Sequence, residues 1–188
     1  LDQALRRDYG FSVDDGVREL TGFFRRTFGS ESLDERRVRF LMKAPRVNGE
    51  VPVSYVRAFE LYEAVRGAGT EENRVFRIIE SLTPQEVRDV AQAFHILYPG
   101  EGKGGGAGAQ GDIRRSALYH RLYQDLDDGL AGGNTLWMKR LAVAVQGLRY
   151  EPDSQASPQI QQQAELLQRQ RVANYLAVSA KLYVERRG

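Results

Sequence analysis

The residues best suited to chemistry in this chain lie in a short glycine-rich turn, Arg66-Gly67-Ala68-Gly69-Thr70. It separates two runs of helical apolar periodicity: Val53, Val56, Phe59, Leu61, Tyr62 and Val65 before it, and Val75, Phe76, Ile78, Ile79 and Leu82 after it. The spacing predicts a tight helix-to-helix turn over residues 67–70. Gly67 and Gly69 can take positive φ without steric penalty, Thr70 is placed to cap the second helix, and Glu71 and Glu72 face its positive end. A turn of this kind strips several carbonyls of helical partners and points them one way, which is what a hard cation needs. The same residues also read as a helix hairpin with a glycine stop and a threonine cap and no ligand at all.

Side-chain chemistry is sparse. His95 and His120 stand alone on separate predicted helices, without the spaced His or Glu of a metalloprotease motif. There is no Cys, and no Ser in a strained strand-to-helix turn, so the familiar nucleophile arrangements are missing and no enzyme is expected. Asp125, Asp127 and Asp128 share the opening of an EF-hand loop, but Gly129 and Leu136 fall where that loop needs its later ligands. Gly102-Lys103 lacks the following Ser or Thr and the preceding strand of a P-loop.

The elements that must position these residues all read as helices. Ser12 with Asp15, and Ser32 with Glu35, have the spacing of capping boxes opening short helices. Pro45 and Pro52 bracket a break, so residues 1–52 form a helical lead-in. Thr83-Pro84-Gln85-Glu86 combines an N-cap, a proline at the first helical position and a Glu at the third. Residues 99–111 are rich in glycine and read as a surface loop, mobile and dispensable from 102 to 111. Residues 112–130 read as one helix, 136–148 as another, and 160–187 as a long Gln-rich helix with Ala164, Leu167, Val172, Leu176 and Leu182 among its apolar positions.

Residues 64–98 resemble the annexin repeat. The turn matches its K/R-G-x-G-T signature, Val75 to Ile79 its aliphatic second helix, and Gln92-Ala93-Phe94-His95-Ile96-Leu97-Tyr98 its third helix. The match resumes at Asp125-Leu126-Asp127-Asp128-Gly129-Leu130-Ala131-Gly132, similar to the family's D-L-x-x-E-L-x-G. One repeat, residues 53–148 with the 99–111 insertion, is covered, about half the chain. The resemblance implies an all-α fold: an annexin-type five-helix repeat with extra N-terminal helices and a long C-terminal helix, all within a single domain over 1–188. It implies calcium-dependent, peripheral binding to acidic phospholipid membranes. The ion would be held by the carbonyls of Val65, Gly67 and Gly69 and by a distant carboxylate, with Arg66 and Thr70 at the lipid head groups. The family's acidic position falls on Gly129, leaving Asp128 one residue away and Asp125 one turn earlier. With at most one carboxylate, such a site belongs with weak calcium modules, with a dissociation constant of about 10⁻⁴ to 10⁻³ M. The alternative is a metal-free helical scaffold whose work is recognition of another protein, as a module of a larger bacterial one.

Composition bounds these readings. With 188 residues, 41% of them hydrophobic, the chain is long enough for a compact core. A formal net charge of +2 gives no argument for nucleic acid. No apolar run approaches membrane-spanning length, so the expected location is the cytoplasm or a membrane surface. Lysine occurs only at 43, 103, 139 and 181 against many arginines, the pattern of a GC-rich bacterial genome. Residue 1 is Leu, so a leader or further repeats could precede it.

Overall fold

The computed structural model describes residues 33–66, 71–102, 112–126, 135–150, 152 and 155–185. The expected helix around Ser12, most of the glycine-rich loop, and residues 127–134 lie outside them, as does Ser32 itself, while the helix expected after Ser32 is described. By its internal contacts the chain divides into two compact units, Leu1–Val56 and Arg57–Gly188. The first contains α1 (Leu33–Lys43), with Phe40 and Ala44 buried. A two-residue turn follows, in which Val47 and Glu50 exchange both backbone hydrogen bonds. Asn48 (φ 53°) and Gly49 (φ 84°) take the left-handed conformations that such a tight Asn-Gly turn requires.

The second unit holds most of α2 (Val53–Val65) and then α3 (Glu72–Glu80), α4 (Pro84–Leu97), α5 (Ala117–Leu126), α6 (Thr135–Ala144) and α7 (Pro158–Glu185). Among the described residues the fold is all helical. Among those residues there is no strand beyond the isolated Val47–Glu50 pairing, as the annexin-type five-helix repeat requires for α2 to α6. The core follows from spacing. Val87, Val90, Ala91, Phe94 and Leu97 recur on one face of α4, and Val75, Phe76, Ile78 and Ile79 make nearly half of α3 apolar; all are buried. Leu118, Leu122 and Leu126 of α5 pack on α4 and α6, and Trp137 and Leu141 of α6 complete the core with α3.

Thr83 and Glu86 form the capping box expected at the start of α4: Glu86 N–H donates to Thr83 Oγ1 (3.2 Å) and Thr83 N–H donates to Glu86 Oε2 (2.7 Å). Two other expectations are corrected. The helix expected from residue 112 begins only at Ala117. Asp112 accepts from Arg114 N–H and starts one 3-10 turn, Ile113–Arg115, after which Ser116 is extended and caps α5 by accepting from Tyr119 N–H. Gly102, read as the start of a dispensable loop, is buried with φ +63°, and a Cβ there would fall 2.0 Å from the Ala117 carbonyl oxygen. On α7, Leu167 and Leu176 are exposed, while Gln168 and Tyr175 face inward.

The buried face of α7 has a polar cause. Arg140 of α6 receives Tyr175 into a cluster: its Nε donates to the Tyr175 hydroxyl (2.6 Å) and its Nη2 to Glu80 Oε1 (2.7 Å), while the Tyr175 hydroxyl donates to the same Glu80 oxygen. The guanidinium carbon lies 4.0 Å from the Phe76 ring centroid, and Phe76 stacks on Trp137 at 5.2 Å. Further along, Gln168 Nε2 donates to the carbonyls of Gly147 (3.2 Å) and Leu148. Thus α7 is fastened along α6 by hydrogen bonds and rings, and a periodicity of apolar residues does not reveal its buried face.

Candidate functional site

The turn begins where α2 ends, at Val65, which is buried together with Ala64. Glu71 N–H donates to the Ala64 carbonyl at 2.9 Å, so the chain closes on itself between 64 and 71 before α3 starts at Glu72. The N-cap of α3 is Glu71, one residue later than expected, with no side-chain cap bond; its carboxylate instead meets Arg74 Nη1 at 3.4 Å. Glu72 lies in the first turn of α3, at its positive end. Of the residues assigned to ion or lipid, Val65, Arg66 and Asp125 are described; Gly67, Gly69, Thr70 and Asp128 lie outside the described residues.

Beside the closed turn runs a polar network that sequence reasoning missed. The Arg66 guanidinium lies 5.8 Å from the centroid of the Tyr62 ring, one turn back on α2. Tyr62 stacks on Tyr98 (3.9 Å, 19°) and meets Phe94 edge-on (6.2 Å). Its hydroxyl donates to Glu101 Oε1 at 3.2 Å, and Arg121 Nη1 donates to Glu101 Oε2 at 3.0 Å. Arg121 Nε then pairs with Asp125 Oδ2 at 2.8 Å, one turn on along α5. The end of α2, the segment after α4 and the middle of α5 are therefore joined through Glu101. Burial raises the Tyr62 pKa, and the Glu101 charge adds to the shift. Burial also raises that of Asp125, against the pull of Arg121. Glu101 sits between Pro99 and a glycine run, and composition alone gives it the look of loop. The available signal was the pair of facing groups, Tyr62 and Arg121, on helices whose apolar faces fix their directions.

A calcium ion of the kind the resemblance implies finds one carboxylate in the described part of its donor set, Asp125. Arg121 already holds one oxygen of that carboxylate, so an ion would compete with a guanidinium for it. Among the described residues no three His, Asp or Glu side chains are grouped so as to hold a metal. His95 lies in the last turn of α4, and His120 lies on α5 edge-on to Tyr119 at 6.3 Å. No helix among the described residues is long and apolar enough to cross a membrane.

The chain is similar to annexin A5 of Homo sapiens, 24% identical over 153 residues, which is 80% of this chain and 40% of that protein. It is 27% identical to annexin A4 of Sus scrofa over 116 residues, and 36% identical to annexin A5 of Rattus norvegicus over 86 residues. Those two matches take in 60% and 46% of this chain, and 34% and 21% of the relatives. No family model and no solved structure matches. The longest of these similarities extends beyond the half of the chain that the repeat motifs mark, and the chain spans about 40% of the length of the annexin A5 proteins it matches over that stretch. Helix order, closed turn and sequence similarity agree: the chain carries an annexin-like segment.

Proposed function

We propose that this protein is a weak, peripheral, calcium-dependent binder of acidic phospholipid surfaces, acting at the turn between α2 and α3. What supports this reading is the closure of the chain between Ala64 and Glu71, at the position of the glycine turn, in a chain similar to annexins. The carbonyls of Val65, Gly67 and Gly69 would hold the ion. Asp128 supplies the balancing carboxylate, and Asp125 joins only by exchanging Arg121 for the ion. Bound calcium would supply a divalent charge shared between the turn and a lipid phosphate. Arg66, exposed and over the Tyr62 ring, adds a cation beside an anionic surface, worth about 1 kcal/mol there. This repeat by itself adds no avidity, so the site it carries binds weakly and reversibly, from the cytoplasm or at a membrane surface.

The hold of Arg121 on Asp125 favours a second reading, in which the repeat is a metal-free helical scaffold that recognises another protein. Sedimentation with phosphatidylserine vesicles separates the two. The first reading expects sedimentation at about 1 mM calcium, reversal by chelator, and its loss in Asp128→Asn with helix content unchanged. Wild-type protein that stays in the supernatant at millimolar calcium leaves the scaffold reading.

A further inference from the structure

At the far end of α3 from the turn, an open cavity of about 390 Å³ lies between the start of α4, the segment after α6, and α7. Nine residues of α3 at 1.5 Å each put about 13 Å between the two ends, so this cavity is separate from the turn. Among the described residues its lining includes two arginines, Arg88 and Arg171, and no Asp or Glu. Both guanidiniums are held by neutral acceptors. Arg88 Nε and Nη2 donate to Gln85 Oε1 (3.1 and 2.7 Å), and Arg171 Nη1 donates to the Gln146 carbonyl (3.4 Å). The carboxylates on the same helix are engaged elsewhere, Glu86 by Thr83 N–H and Asp89 by Gln85 Nε2 (2.8 Å). Two positive charges therefore line one cavity, each held in place by a neutral acceptor.

The cavity has a rigid base. Arg149 N–H donates to the Leu82 carbonyl (3.1 Å), and the buried Gln168 ties α7 to the carbonyls of Gly147 and Leu148. Gly147 (φ +82°) sits so close to α4 that a Cβ would fall 2.3 Å from the Pro84 nitrogen. Tyr150 and the exposed Leu167 supply an apolar wall beside the two cations.

We propose that this cavity is a second ligand site, for a phosphomonoester. A phosphate monoester carries close to two negative charges at neutral pH and three acceptor oxygens, matching two guanidinium forks from two helices. Its organic body packs on Tyr150 and Leu167, and the volume suits a small ligand. The group's source is either a soluble metabolite or a lipid head group of the phosphatidate type. This site does not depend on the calcium reading.

The test uses the whole chain with calcium chelated throughout. Phenyl phosphate should shift the amide resonances of Gln85, Tyr150 and Gln168 saturably, with a dissociation constant of about 1 mM, and phenol should not. Arg88→Gln and Arg171→Gln should each weaken binding about tenfold with helix content unchanged, since one charge-assisted bond pair is lost. Arg169→Gln, outside the lining and paired with Glu165 at 2.6 Å, should leave it unchanged. With binding established, vesicles of phosphatidylcholine containing phosphatidic acid decide the source: displacement of phenyl phosphate assigns a lipid head group, and no displacement assigns a soluble ligand. Absence of saturable shifts up to about 10 mM phenyl phosphate, or shifts that persist in the double Arg variant, overturns the proposal.

Discussion

Arg121 on α5 donates through Nη1 to Glu101 Oε2 at 3.0 Å, and Glu101 comes from the segment just after α4. The same guanidinium pairs with Asp125, so one cation sits between two carboxylates, with Tyr62 hydrogen-bonded to the first of them. Replacing Glu101 with Ala leaves the Tyr62 hydroxyl and Arg121 each short of an acceptor. Both side chains of the Arg121–Glu101 pair are a quarter to a third exposed, which discounts the loss to about 1 kcal/mol in urea unfolding. Because burial raises the Asp125 pKa in the folded state, its contribution is complete below the unfolded value of 3.8 and is lost as pH rises through the folded value. Asp125→Asn should therefore lack that fall in stability on the alkaline side of pH 3.8, which stability measured across a pH series would detect.

The cluster around Arg140 should dominate the docking of α7. Arg140→Met keeps much of the stem but leaves Glu80 and Tyr175 without their cation. A cost of about 2 to 3 kcal/mol is expected, with hydrogen exchange in α7 accelerating more than in α4. Tyr175→Phe should cost only about 1 kcal/mol, since the ring remains. Burial, followed by the Glu80 hydrogen bond, raises the Tyr175 pKa to about 12 from 10.0. The stability it contributes is whole below pH 10 and is lost as pH rises through 12, a decline that Tyr175→Phe should not show.

Two glycines are predicted to resist substitution for a reason beyond φ. Gly147→Ala and Gly102→Ala each place a Cβ into backbone, against Pro84 and the Ala117 carbonyl. Each should cost about 2 to 3 kcal/mol or more. Gly100→Ala, with φ +99° and nothing within 4 Å of its Cβ, carries only the conformational part, about 1 kcal/mol. Equal midpoints for the three variants in thermal unfolding would show that the close approaches do not matter.

Thr83→Ala should destabilise by about 1 kcal/mol through the lost cap. The Glu86 pKa is lowered chiefly by the backbone N–H of Thr83, so its contribution is present above the unfolded value of 4.5 and is lost as pH falls through the folded one. Glu86→Gln should accordingly flatten the acid limb of a stability curve, a readout available from circular dichroism.

How far the sequence carried the reading depended on what kind of force holds each element. The start of α4 was legible because Thr83, Pro84 and Glu86 act within four residues, and α3 because four of its apolar residues fall on one buried stripe. The end of α2 at Val65 and the start of α3 at Glu72 were legible as a break in that periodicity. The face of α7 was not, because Gln168 and Tyr175 are buried by partners 20 and 35 residues away, and polar burial leaves no hydrophobic pattern. Nor was the role of Glu101, whose neighbours in sequence are loop-forming while its neighbours in space are Tyr62 and Arg121. The break at Ser116 escaped for a related reason: Ile113, Ala117 and Leu118 keep a helical spacing across it, and only the Ser side chain marks the new start.

The Arg140 cluster also turns the chain into its own optical reporter. Trp137 is the single tryptophan, buried, stacked on Phe76 and 5.4 Å from the Arg140 guanidinium carbon, while Arg140 in turn grips Tyr175 of α7. Release of α7 would withdraw Tyr175 from Arg140, the cation beside the indole, and so change the surroundings that set its emission. Attachment of the long C-terminal helix is thus readable by intrinsic fluorescence, without a label, in every titration with denaturant, calcium, vesicle or phosphate.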